Sequence, residues 1–176
     1  MATIVYCLFL IIIFAVCYSG NIDTKKNYKA VKVGEGIAYI PIDYYNTSTR
    51  KRLEDYYYLE TSECKMIIID YPVNYIEPDI LDKMGLSYDI LSSMNIIESE
   101  YELQDVFDIE DSNVIKKGHT DRSSFQKYRV IYEAKDNIVA VYVYHEENRS
   151  VYQVIIADKE YFTEEEYKKM YSLLKY

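Results

Sequence analysis

His119, Asp121, Ser123 and Ser124 stand close together in the chain, and a histidine, an acid and a hydroxyl are the parts of a nucleophilic hydrolase. Working triads converge from distant positions, with the serine held on a special turn such as G-x-S-x-G. That turn is absent here, and a small polar turn explains the same letters. His119 and His145 are the only histidines, and neither belongs to an H-x-x-H or C-x-x-C pattern, so the spacing does not favour zinc. Cys64 has no histidine partner in a recognisable motif and reads as a structural or exposed thiol, not a nucleophile. Glu98, Glu100, Glu102, Asp105, Asp108, Glu110 and Asp111 make an acidic run, for which calcium is the obvious ligand. A calcium loop opening at Asp108 needs Gly at its sixth position and Glu at its twelfth, where Asn113 and His119 stand instead. The run is expected to be a solvated, partly helical connection. The sequence therefore assigns no catalytic residue, no metal ligand and no cofactor. A hydrolase built on the His119/Ser123 region is kept as the less favoured alternative.

The elements that would position such residues are easier to read. Tyr128 to Ile156 holds three runs rich in Val, Ile and Tyr, separated by the short breaks KDN and HEENRS. Breaks this short join antiparallel neighbours, so a C-terminal three-stranded meander is expected. In its middle run, Ile138 to Tyr144, both alternating faces are apolar, which predicts a central strand covered on both sides. Gly36 to Ile42 predicts a first strand ending at Pro41, and Tyr56–Thr61 with Lys65–Val73 a hairpin. Asp43 to Asp55, with Arg50, Lys51 and Arg52, reads as a solvated loop. Pro78 suits an early helical position, followed by the stripe Ile80, Leu81, Met84, Tyr88 and Leu91. Gly85 and Ser87 divide that stripe into two short helices. Asn113 to Gly118 is read as a further strand. Thr163 with Glu166 fits a capping box opening a C-terminal helix, whose apolar stripe is Tyr167, Met170, Tyr171 and Leu174.

Met1 to Ile22 contains no charged side chain, and Ile4 to Val16 is almost continuously apolar. That run is shorter than the roughly 20 residues of a membrane span and suits a secretory signal. Ala15, Cys17, Ser19 and Gly20 supply small residues for cleavage. Lys25, Lys26 and Lys29 follow the run and no basic residue precedes it, the reverse of the usual flank. The leading expectation is a cleaved signal peptide, residues 1–20, and a secreted or envelope location. The alternatives are an uncleaved anchor through residues 4–22 and lipidation at Cys17. A linker over 21–35 and a single domain over 36–176 complete the expected organisation.

Cys7 and Cys17 fall within the leader and leave Cys64 alone, so the domain is no disulfide scaffold. A net charge of −9 lacks the basic footprint that nucleic acid requires. An anionic membrane is disfavoured likewise, unless the leader stays or Cys17 is lipidated. The chain has 22 tyrosines and no tryptophan. Tyrosine is enriched at binding surfaces, but Tyr, Ile, Asn, Lys and Asp abounding together is also what an AT-rich genome gives. Asn46 and Asn148 stand in formal glycosylation acceptors, Asn-Thr-Ser and Asn-Arg-Ser.

The order strand, hairpin, helix, acidic connection, strand, meander, C-terminal helix resembles the PsbP-like superfamily over roughly Gly36 to Tyr176. That superfamily includes the extrinsic photosystem protein, DcrB-like envelope proteins and a nuclear-import factor binding Ran. The strand ending at Pro41, the phrase Lys117 to Tyr132 and the ending Phe162 to Tyr176 carry the likeness. Many relatives have Gly-Trp soon after the first proline, where Ile42-Asp43 stands here. A cystatin-like sheet with helices would give a similar layout. The resemblance implies an α+β fold, an antiparallel sheet covered by helices (a PsbP-like sandwich), and a binding or assembly role without catalysis. It assigns no site residue. The expected function is thus an exported, non-enzymatic domain that binds a protein partner or stabilises an assembly. A pocket for a small apolar ligand is the alternative.

Overall fold

The computed structural model describes residues 27–94 and 97–176. The expected signal peptide, and with it Cys17, lies outside them. Among the described residues no helix is long and apolar enough to cross a membrane.

Tyr28–Val33 (β1) and Gly36–Pro41 (β2) form an antiparallel hairpin and a sheet of their own. This corrects the linker expected over 21–35. Val31 and Val33 alternate inward while Lys29 and Lys32 stay in water, and those lysines gave the segment its polar look. The turn needs glycine at position 34 on two counts. Its φ is +53°, and a side chain there would collide with the Asp70 carboxyl, which accepts a 2.9 Å bond from the Glu35 N–H. On the far edge of the hairpin Ile37 and Lys175 exchange backbone hydrogen bonds, so the last residues of the chain dock there.

Seven strands make the main sheet, all antiparallel. Along the chain they are β3 (Thr49–Arg52), β4 (Tyr56–Glu60), β5 (Cys64–Tyr71), β6 (Val114–Arg122), β7 (Phe125–Ala134), β8 (Asn137–Glu146) and β9 (Arg149–Asp158). Their order in space is β3-β4-β5-β9-β8-β7-β6. The three runs read from the sequence are β7, β8 and β9, and β9, not β8, stands at the middle. Both are interior, and β8 is buried on both faces from Val139 to Tyr144. Two-residue turns join β6 to β7, β7 to β8 and β8 to β9, with Lys135 and Glu147 at positive φ in the last two.

Among the described residues five α-helices follow in chain order: α1 (Ile42–Thr47), α2 (Pro78–Met84), α3 (Tyr88–Ser93), α4 (Glu100–Val106) and α5 (Glu164–Leu173). Ser87, Ser99 and Thr163 cap α3, α4 and α5, the last through a complete capping box with Glu166. Gly85 ends α2 in the left-handed conformation.

The helix-covered α+β sandwich expected from the sequence does not form; the chain is mostly β. The helices are only six to ten residues long. The segments read as linker and solvated loop hold strands β1 and β3, and β3 is fully exposed. One face of the main sheet is covered by a second sheet, the β1–β2 hairpin, with α1 and α5 around it. The other is covered by α2, α3 and α4, whose Ile80, Leu81, Met84, Leu91 and Leu103 meet Ile67, Ile69, Val130, Val141 and Val154.

Candidate functional site

The sequence candidates separate in space. His119 lies on edge strand β6, with its ring 5.1 Å from that of Tyr128 and its Nδ1 4.0 Å from a Glu100 carboxylate oxygen. Ser123 and Ser124 make the exposed β6–β7 turn. No hydrogen bond among the described residues joins His119, Asp121 and Ser123 into a relay. His145, two strands away on β8, bonds through Nδ1 to the Ser150 hydroxyl at 2.8 Å. Among the described residues no three His, Cys, Asp or Glu side chains are grouped to hold a metal. Burial pushes the Cys64 thiol up to about 12, so it carries almost no nucleophilic thiolate near neutrality.

Part of the acidic run is spent on structure. Glu102 accepts from the Glu98 N–H, and Ser99 caps α4. Asp111 accepts from Gln104 Nε2 at 2.9 Å and Lys117 Nζ at 3.1 Å, which hold its carboxyl below the usual carboxylate range. The start of the run does approach the histidine strand. Tyr128 is pushed up to about 12, first by burial and then by Asp121, Glu98, Glu102 and Glu100.

A different region has the shape of a binding site. Pro41 closes β2 and precedes α1, whose first turn holds Asp43 and whose Tyr44 points inward. The Tyr44 hydroxyl donates to the Leu59 carbonyl at 2.9 Å, fixing the ring against β4. Facing it, the loop from β9 to α5 turns at Glu160, with φ +71°, and the Tyr161 N–H donates to the Asp158 carbonyl. Asp158 in turn donates its N–H to the Glu63 carbonyl. This places Tyr161 and Phe162 edge-on to Tyr44, with centroids at 6.0 and 5.7 Å, favourable T-shaped geometry.

Two open clefts, of about 730 and 540 Å³, flank this aromatic group and share Asp43, Tyr44 and Tyr161. Glu60 and Glu63 add carboxylates to the first and Glu166 to the second, and among the described residues no lysine or arginine lines either. Glu60 is paired with Lys83 at 2.8 Å, and Glu166 belongs to the α5 capping box. Asp43 and Glu63 are exposed and take part in no ion pair among the described residues. In the second cleft Tyr28 is pushed up to about 12, by burial and then by Glu166 and Glu165. Phenol rings beside uncompensated carboxylates can hold a cation through ring faces and charge together.

No signal in the sequence marked this site, because its halves lie at opposite ends of the chain and meet through the pairing of β5 with β9. No family model matches the chain, and no curated protein matches it.

Proposed function

We propose that this chain is an exported, non-catalytic binding domain whose acidic, tyrosine-lined clefts take a basic segment of a partner protein. The observation that carries the reading is the lining itself. Tyr44, Tyr161 and Asp43 are common to two adjoining clefts that carry four carboxylates and, among the described residues, no cationic side chain. A small apolar ligand is favoured less, since both clefts are open and edged with acids and hydroxyls. Export is supported by the uncharged, apolar leader and its small residues from Ala15 to Gly20. The resemblance to PsbP-like proteins implies the same kind of role. The separation of His119 from Ser123 and His145, and the inert Cys64, favour binding over catalysis.

The test is titration of the protein with a lysine-rich peptide and with its acetylated counterpart. The lysine peptide should bind, and more weakly as salt rises. Tyr161→Ala combined with Asp43→Asn should weaken it by about tenfold, roughly 1.4 kcal/mol. Equal binding of the acetylated peptide, or an unaffected double variant, would sink the reading.

A further inference from the structure

Strand β6 ends the main sheet, and among the described residues no strand pairs with its outer edge. The two-residue turn at Ser123-Ser124 makes Arg122 and Phe125 a hydrogen-bonded pair, so Arg122, Thr120, Gly118 and Lys116 bond inward to β7. The backbone groups of Asp121, His119 and Lys117 therefore point outward, and among the described residues no backbone bond reaches them. A long open edge is a template for another strand.

This edge also carries an unusual side chain. Arg129 on β7 stands opposite Gly118, and any side chain at position 118 would collide with the Arg129 Nε. Through that gap the guanidinium lies across β6, with its carbon 4.7 Å from the centroid of Tyr171 on α5. A guanidinium set over an aromatic ring keeps its terminal N–H groups for a planar acceptor. No ion pair among the described residues includes Arg129, and its Nε has no hydrogen-bond partner. The nearby acid Glu164 is held by Lys116 at 2.6 Å. Arg122 and Thr120 share the Arg129 face of β6, while Lys117, His119 and Asp121 line the other, where Lys117 is paired with Asp111 and His119 faces Glu100. The positive charge left without an ion pair among the described residues is that of Arg129 and Arg122, on one face of the edge.

We propose that the β6 edge is a second recognition surface, which adds an extended, carboxylate-bearing segment of a partner protein as an eighth strand and seats one carboxylate on Arg129. Charge selects this occupant. A second copy of β6 paired antiparallel about His119 would set Lys116 against Arg122, and like charges facing each other across a pair are unfavourable. It would also bring no carboxylate to the Arg129 face, because the one acid of the strand, Asp121, lies on the other face. The site is independent of the acidic clefts, whose occupant has the opposite charge. Outward N–H and C=O groups supply the strand register, and the guanidinium distinguishes a carboxylate from a neutral amide.

The test uses an eight-residue extended peptide with glutamate at alternate positions, and the same peptide with glutamine. The glutamate peptide should bind at least tenfold more tightly and shift the backbone amide resonances of Lys117, His119 and Asp121. Arg129→Lys keeps the charge but loses the planar fork, and should cost about tenfold. His119→Pro removes an outward N–H that serves no internal bond. It should abolish binding while the thermal midpoint and circular dichroism stay near wild type. Equal binding of the glutamine peptide, or full binding by His119→Pro, would overturn the proposal. So would failure of the glutamate peptide to bind the wild-type chain, or a dimer formed through β6 in its place.

Discussion

Across the middle of the main sheet two rows of side chains run one residue apart, on opposite faces. Val130, Val141, Val154 and Ile67 form one, and Arg129, Tyr142, Gln153 and Ile68 the other. The same four strands thus present a wholly aliphatic row to α2, α3 and α4 and a largely polar one to α5. In the polar row and the helix above it, Arg129 Nε, the Tyr142 and Tyr167 hydroxyls and Gln153 Oε1 find no protein partner. Lys127, the one buried charged side chain among the described residues, lies on the same face. Its Nζ bonds to the Ser172 carbonyl at 2.9 Å and lies 5.3 to 5.9 Å from the ring centroids of Tyr144, Phe125 and Tyr171. The aliphatic face is held by burial, which is non-directional and tolerant of detail. The polar row is held by particular geometries and leaves Arg129 Nε, the Tyr142 hydroxyl and Gln153 Oε1 unsatisfied, whereas the aliphatic row has no side-chain polar atom to satisfy.

The comparison breaks most readily on the aliphatic side. Val141 is fully buried, and Val141→Asp places a carboxylate there without a partner. The cost is several kcal/mol against a total stability of about 5–15 kcal/mol, so cooperative thermal unfolding should be lost. A retained sharp transition would mean that the aliphatic row is not the core.

On the polar side the sign reverses. Gln153 is fully buried, its Oε1 is unpaired, and its Nε2 meets only the Met66 and Met170 sulfurs. Gln153→Met keeps the volume and removes the unsatisfied oxygen, so stability should rise by about 1 kcal/mol. Denaturant unfolding measures it, and a loss of that size would assign Gln153 a favourable role.

Lys127 makes the same contrast depend on pH. Burial, and then Lys175, push its amine down to about 8 from the ordinary 10.5. Between those values the unfolded chain binds a proton that the folded chain does not, so stability rises with pH across that window. Buried tyrosines such as Tyr58 and Tyr152 are raised. They favour the folded state below about pH 10, and that contribution is lost above it as unfolded tyrosines ionise. The thermal midpoint should therefore climb by a few degrees from pH 8 and fall beyond pH 10. Lys127→Met should be more stable than wild type at pH 7, with the difference closing near pH 10. A constant difference over that range would remove Lys127 from the account.

The smallest effect lies outside both rows. Asp105 is exposed on α4, and Asp105→Ala should change stability by no more than about 0.5 kcal/mol. A larger change would give the acidic run a role beyond capping and solvation.

Much of this layout was legible in the chain because its causes are local. Alternating Val, Ile and Tyr specify strands, and the short polar breaks KDN and HEENRS between apolar runs specify the turns that join β7, β8 and β9. Pro78, Ser87 and the Thr163/Glu166 box mark helix starts through single hydrogen bonds or one fixed dihedral. Strand β1 escaped notice because only Val31 and Val33 face inward, and half-buried lysine-bearing strands look like linkers. The sandwich was misjudged for a related reason: periodicity tells which residues want burial, but not what covers them. A two-stranded sheet on one face and short helices on the other satisfy the same pattern.

What sequence alone determined is therefore the alternation, the turns, the caps and the acidity, each set within a few residues by sterics and solvation. Tertiary structure decided everything that needs residues far apart in the chain. Pairing β5 with β9 brought Asp43 and Tyr44 to Tyr161, and setting Gly118 opposite Arg129 laid a guanidinium across the last strand. Packing α5 on the sheet enclosed Lys127 among aromatic rings. Binding chemistry depends on such distances, and a linear pattern fixes distances only between near neighbours.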